Sequence, residues 1–392
     1  MCDDTGEIMS QRVAIIGTGQ TVHSSRRDDL SQWELINEAC TKALSDAQIS
    51  VKEVDAVVLT NMEVFEGRAL PDMWLSEAVG ECLKPSMKIA TGGTSGTSGV
   101  IAGFHQVASG IFDVVLVVGW EKHSEGHTQT GMSLTEPFWD RTVASGAIGN
   151  FALSISQYMI ERNVTPYHAA LVAVKARKNA LNNPYAHLKL EITVESVMNS
   201  KMLAYPVRML DMCPQSDGAC ALVLASEKFA SRCKRPAWVK SAVTRHEQPY
   251  IGDQVSRLTT ARTLRDAAKE SYKRVGINNP LKEIDVAEIY EPVSYAELAW
   301  YEALGFCEEG KSGELIESGA TEMEGELPVN PSGGVLSTNP VGASGVIRAA
   351  EAALQIHQKA EKRQVDGVRT ALVHGYGVYA WSDVIILSSN KD

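Results

Sequence analysis

Residues 88–99, KIATGGTSGTSG, carry a short apolar stretch into glycines, serines and threonines, and a helical pattern begins at Val100. Glycine at this density lets a backbone approach a ligand or another segment closely, so main-chain N–H groups are offered where side chains usually stand. A second run, NPSGGVLSTNPVGASG at 330–345, has the same character. Gly93 lies five residues before Ser98 and Asn339 five residues before Ser344, while Ser98-Gly99-Val100-Ile101 matches Ser344-Gly345-Val346-Ile347 residue for residue. Gly93 and Asn339 are thus expected to be symmetry partners facing one cleft. Each precedes a helix N-terminus, where free N–H groups and the helix dipole suit an oxyanion.

Other chemistries find less support. The seven cysteines, at 2, 40, 82, 213, 220, 233 and 307, form no Cys-x-x-Cys pair and no metal-ligand spacing, so they read as reduced thiols and no bound metal is expected. Cys82 reads as structural, and His374, at a strand end, as a core histidine. The GTGQT stretch at 17–21 lacks the third glycine and the later acidic residue of a dinucleotide loop, so no nicotinamide cofactor is expected. A net charge of -11 disfavours nucleic acid as a partner. The chain has no apolar run of membrane-spanning length and no leader-like start, which makes a soluble, cytoplasmic protein the expectation.

The elements that must carry these residues are written twice. The segment at 38–61, helical spacing followed by the run Val57-Val58-Leu59, is echoed at 266–291; the segment at 97–121 is echoed at 343–377. So long a period means a duplicated domain. Each half opens on a strand, Val13 to Gly17 and Trp238 to Ala242, and alternates strands with helices such as Trp33 to Ala47 and Leu264 to Val275. This order predicts an α/β fold around a mixed, largely parallel sheet, its valine and isoleucine runs covered on both faces. Residues 123–210 have no echo; helical stretches at 151–181 and the polar HSEGHTQTGMSLTEPFWDR suggest an inserted loop domain with a lid. The expected division is 10–122 with 211–235, 123–210, and 236–392.

Taken together, VAIIGTGQT, SGTSGVIAG, VVLVVGWEK, VKARKNALNNPYA, CPQSDGACALVLAS, YEALGFCEEG and NPSGGVLSTNPVGASG resemble, in order, the thiolase superfamily in its sterol-carrier-type and archaeal-like branch. The resemblance implies two five-layered αβαβα halves and a homodimer paired through the strand near Lys88 to Ala90. It also implies chemistry on the carbon–carbon bond beside a coenzyme A thioester, with coenzyme A as substrate and no tightly bound cofactor. The family's nucleophilic cysteine falls on Gly93, one catalytic histidine on Tyr290 and its paired asparagine on Ala296. The second histidine falls on Asn339, and the second cysteine around Gly375 or Tyr376.

With no thiolate at position 93, no acyl-enzyme of the usual kind forms there. The remaining expectation is electrostatic: the N–H of Gly93, that of Gly375 or Gly377 and the Asn339 amide hold the thioester oxygen. Tyr290 then serves as acid or base beside Glu291 and Glu297. The chain resembles the large subunit of two-component thiolases such as benzoylsuccinyl-CoA thiolase, which works with a small zinc-ribbon and oligonucleotide-binding-fold partner. Three readings follow: acyl transfer to a second coenzyme A, retro-aldol cleavage of a β-hydroxyacyl-CoA, and a non-catalytic scaffold. Lys175, Arg177, Lys178 and Lys189 form either a solvated helix face or a contact to ligand phosphates, with Arg141 a further candidate. Ser216-Asp217-Gly218 and Ser332-Gly333 are turns that in the family lie along the pantetheine tunnel. Tyr376, Tyr379 and Trp381 suggest either core packing or a pocket for a bulky acyl group.

Overall fold

The computed structural model describes residues 11–128, 146–247, 257–377 and 381–392. Along the chain run β1 (Val13–Gln20), α1 (Gln32–Ala47), β2 (Ala56–Thr60), β3 (Ser86–Ile89), α2 (Ser95–Ala108) and β4 (Val114–Lys122). Next come α3 (Gly146–Arg162), α4 (Pro166–Ala180) and the short pair β5 (Met202–Ala204) and β6 (Val207–Arg208). After β7 (Asp217–Ser226), the second half follows with β8 (Ala237–His246), α5 (Arg262–Val275), β9 (Val286–Glu288), α6 (Ser294–Ala303), α7 (Val341–His357), β10 (Thr370–Gly377) and β11 (Trp381–Ser388).

Among the described residues, nine strands form one sheet in the order β3-β2-β4-β7-β1-β8-β11-β10-β9. Each half is the same pattern read outward from the antiparallel β1–β8 seam, where Ala14 meets Trp238. Strands reached through a crossover helix share a direction, as β2 with β4 and β9 with β10 do. Strands β7 and β11 run against their neighbours, so the hydrogen-bonded pairs inside the sheet are mostly antiparallel. The expected parallel character therefore holds for strand direction within each half but not for pairing, because β11 follows β10 closely and β7 enters from the insertion.

Side chains on each strand alternate between two cores. On β4, Val115 and Val117 face the centre of the molecule while Val114, Leu116 and Val118 face α1. Both sides are apolar, so period-two patterning is invisible in the sequence. Helix α1 presents Leu35, Ile36, Ala39, Ala43 and Ala47 to that outer core, and a Ser31–Glu34 capping box fixes its start. On the far side, Val384 and Ile386 of β11 pack with Leu264 and Ala268 of α5 and with α6. Between the two half-sheets lie α2 and α7, giving α, β, α, β and α layers. The two central helices cross where a Cβ on Gly345 would stand 2.2 Å from the N of Thr97, and one on Gly96 would stand 2.5 Å from the N of Val346. Only glycine permits that approach.

Candidate functional site

The crossing of α2 and α7 brings their N-terminal ends to one cavity of about 680 Å³. Thr91, Gly92 and Gly93 enter from the chain leading into α2, Asn339 and Val341 from that leading into α7, and Tyr290 and Pro292 from the chain leaving β9. Tyr376 and Gly377 end β10, Trp381 opens β11, and His246 ends β8. The insertion supplies Phe151 and Ile148 of α3 and Leu203 of β5, so most of the wall is apolar or aromatic.

Position 93 has no room for a side chain. A Cβ there would stand 2.2 Å from the carbonyl oxygen of Tyr376 and 3.2 Å from the phenol oxygen of Tyr290. Tyr290 is buried, and burial pushes its phenol well above the ordinary value. Of the acid and base roles expected for Tyr290, this environment suits the acid: the phenol keeps its proton and donates to Oδ1 of Asn339 at 3.1 Å. Trp300 Nε1 donates to the Tyr290 carbonyl at 2.9 Å, which fixes the backbone behind the ring.

Asn339 is oriented at both ends of its amide. Oδ1 also accepts from the Ser344 hydroxyl at 2.8 Å, and Nδ2 donates to Cys213 Sγ at 3.2 Å. Its N–H donates to Ser216 Oγ at 3.0 Å, and Ser216 Oγ lies 2.9 Å from His187 Nδ1. Cys213 lines the cavity, and burial pushes its thiol up to about 12, so sulfur is present as an acceptor rather than a thiolate. Sequence reasoning missed this residue: its one signal was proximity to Ser216, three residues on.

Several expected site residues lie elsewhere. Glu291 follows Tyr290 but points to the opposite side, where Oε1 accepts from Leu336 N at 3.0 Å; burial and Glu297 raise its carboxyl to about 8. Glu297 is itself fully buried and pairs with Lys175, which also donates to Tyr301 Oη at 2.9 Å. Lys175 therefore meets no ligand phosphate. Arg177 is likewise buried, donating to the Leu336 carbonyl, while Lys178 is exposed and pairs with Glu322 at 3.1 Å. A helix turns by about 100° per residue, so a basic run in sequence is no basic patch in space.

Ser216 sits behind Asn339 rather than on the cavity wall. Ser332 donates to Glu288 Oε2 at 2.7 Å inside the core, and Gly333, at φ +93°, packs against Ala180. Neither lines the cavity. Gly375 abuts Thr97, with 2.0 Å between its would-be Cβ and Thr97 Oγ1, and Ala296 is buried in α6. Arg141, Tyr379 and most of the expected lid lie outside the described residues. Among the described residues no lysine or arginine lines the cavity and no group of three His, Cys, Asp or Glu could hold a metal; no described helix is long and apolar enough to cross a membrane.

The thiolase N-terminal domain family matches residues 13–228 and the thiolase C-terminal domain-like family matches 244–390. The chain belongs to the thiolase family. It is 31% identical over 371 residues to an acetyl-CoA acetyltransferase of Methanothermobacter thermautotrophicus, covering 93% of this chain and 96% of that one. The benzoylsuccinyl-CoA thiolase subunit BbsB of Thauera aromatica is 31% identical over 75% of this chain and 76% of its own. Human sterol carrier protein 2 is 29% identical over 94% of this chain and 70% of its own. In fold, the Ltp2-ChsH2(DUF35) aldolase aligns with a TM-score of 0.83 at 24% identity, over 98% of this chain and 100% of that one. Human mitochondrial 3-ketoacyl-CoA thiolase aligns at 0.74 and 16% identity, over 98% of this chain and 100% of that one. Within this thiolase fold, the paired ends of α2 and α7 are where Gly93 and Asn339 meet.

Proposed function

We propose that this thiolase-family protein makes or breaks the carbon–carbon bond beside a coenzyme A thioester without a covalent enzyme intermediate. The carrying observation is Gly93, hemmed between the Tyr376 carbonyl and the Tyr290 phenol on a wall shared with Asn339. A thiol cannot be seated there, yet the glycine-lined approach to α2 persists, which supports an enzyme over an inert scaffold. In this reading the thioester oxygen gains negative charge as the bond breaks. The α2 N-terminal amides around Gly93, the N–H of Gly377 and Asn339 Nδ2 stabilise it, each donor contributing roughly 3 kcal/mol to the barrier. The protonated Tyr290 phenol donates to the departing or forming carbonyl oxygen. Asn339 Nδ2, now on Cys213, exchanges a weak sulfur acceptor for a charged oxygen.

The acyl acceptor is a second coenzyme A, and the substrate a bulky β-oxoacyl-CoA suited to walls of Phe151, Tyr376 and Trp381. Retro-aldol cleavage of a β-hydroxyacyl-CoA is the second reading, in which the Tyr290 phenol hydrogen-bonds the substrate's β-oxygen while another group takes its proton. We assign the chain to a cytoplasmic homodimer and to a complex with a small zinc-ribbon subunit. The Thauera relative is called a subunit and the Ltp2 aldolase pairs with ChsH2(DUF35), which supports a partner here.

Product analysis tests the assignment. With an aromatic β-oxoacyl-CoA, two acyl-CoA products should appear only when free coenzyme A is added. An aldehyde or ketone released from a β-hydroxyacyl-CoA without free coenzyme A would replace the thiolytic reading with the retro-aldol one. Intact-mass detection of acyl-Cys213 during turnover would sink the non-covalent mechanism, and absence of any coenzyme A binding by calorimetry would return the chain to the scaffold class.

A further inference from the structure

Resting on the proposed carbon–carbon cleavage, a proton has to be held somewhere. In retro-aldol cleavage it leaves a hydroxyl; in thiolysis it leaves the coenzyme A thiol; in both it ends on the α-carbon of the released thioester. Tyr290 and Cys213 are both protonated at rest and cannot accept it. A line of hydroxyls leads away from the cavity to a group that can. Thr91, on the cavity wall, lies 3.1 Å from Ser98 through their hydroxyl oxygens, and Ser98 Oγ donates to Asp383 Oδ2 at 2.8 Å. Thr97 donates to the same carboxylate oxygen at 2.7 Å.

Asp383 is fully buried on β11, reached by α2 of the other half. The side chains that hydrogen-bond it are neutral: the hydroxyls of Thr97 and Ser98 from α2 and of Thr244 opposite on β8, and the indole of Trp381, with Gly375 opposite on β10. His374 packs edge-on to Trp300 on the other face of β10, and the His246 ring lies against Trp381 at 4.7 Å. A buried carboxylate without a cation is costly unless something requires it.

We propose that Asp383, acting through Ser98 and Thr91, stores the proton released when the carbon–carbon bond breaks and returns it to the α-carbon. For a β-hydroxyacyl thioester, the substrate O–H proton passes to Thr91 Oγ1 as Thr91 gives its own to Ser98 and Ser98 gives its own to Asp383. The substrate C–O becomes a carbonyl, the carbon–carbon bond breaks, and its electron pair enters the thioester enolate. For a β-oxoacyl thioester the S–H of coenzyme A supplies the proton, sulfur bonds to the β-carbonyl carbon, and the same bond breaks into the same enolate. The relay then runs backwards to form the α C–H bond, so nothing is oxidised and no proton is lost. Burial raises the Asp383 carboxyl to about 6, where it is ionised at neutrality yet basic enough to take a proton.

The test is a pH profile of turnover for the full chain in the assembly in which it purifies, with both thioester classes. The variants are Asp383→Asn and Thr91→Val, the latter severing the line at the cavity without altering the carboxylate. The parent rate should fall as pH drops through about 6, because the stored-proton site is then already occupied. Both variants should turn over about 100-fold more slowly with little change in KM, and both should lose the acid limb. A hydroxyl source gives this pattern with the β-hydroxyacyl-CoA, a thiol source with the β-oxoacyl-CoA. Parent-like rate and acid limb in Thr91→Val, or an intact acid limb in Asp383→Asn, overturns the relay while leaving the cleavage reading standing. A parent that cleaves neither thioester removes both.

Discussion

Asn339 is held at its carbonyl oxygen by two hydroxyls, at its amide nitrogen by sulfur and at its backbone by Ser216. An amide so constrained presents one orientation, which is what a fixed electrostatic site requires. In this setting Tyr290→Phe should lower kcat about 100-fold, the size of a positioned acid, and disturb stability by only about 1 kcal/mol for the lost hydrogen bond. Steady-state kinetics beside a thermal melt checks both; an unchanged kcat removes Tyr290 from the chemistry. Gly93→Cys restores the family's residue type but not its function. The new Cβ meets the Tyr376 carbonyl at 2.2 Å, so the variant should melt several degrees lower and form no acyl-enzyme. Acylation of that cysteine seen by intact mass, with parent-like stability, would contradict it. The glycine at position 93 was legible in the sequence; that no side chain fits there was not, because the atoms it would meet belong to Tyr290 and Tyr376, nearly 200 or more residues away.

At the scale of elements, α4 shows why a basic run misleads. Lys175 and Arg177 turn inward beneath Glu297 and Leu336, and Lys178 turns to solvent. Removing one partner of a buried pair strands the other charge. Lys175→Met should therefore cost about 3–5 kcal/mol, whereas Lys178→Ala should stay within about 0.5 kcal/mol. Urea unfolding midpoints measure the difference; equal midpoints would mean that the pair is not formed. The helical stretches expected at 151–181 are two helices, parted where Asn163 takes φ +54° and Pro166 starts α4 with Thr165 as its cap. Proline and its cap were readable as a break; the burial of Lys175 was not, since its partner lies on α6.

For the whole molecule, one edge of the sheet is β3, which pairs only with β2 among the described residues. Met87 on that strand is 47% exposed and nearby Met73 and Trp74 are 68% and 75% exposed, an apolar edge that the proposed homodimer would cover. Sedimentation should show a dimer that Met87→Glu weakens at least tenfold in dissociation constant; a monomeric parent at micromolar concentration would refute it. Repeats and apolar runs made a duplicated α/β fold legible in the sequence, because hydrophobic periodicity and copied segments are local properties of the chain; its likeness to thiolases came instead from the ordered motifs such as SGTSGVIAG and NPSGGVLSTNPVGASG. The same local copies paired Gly93 with Asn339. Which side chains surround them was settled only by tertiary structure. Burial, the side to which a residue such as Glu291 turns and the approach of Cys213 to Asn339 arise from contacts between distant segments, and no spacing along one chain encodes them.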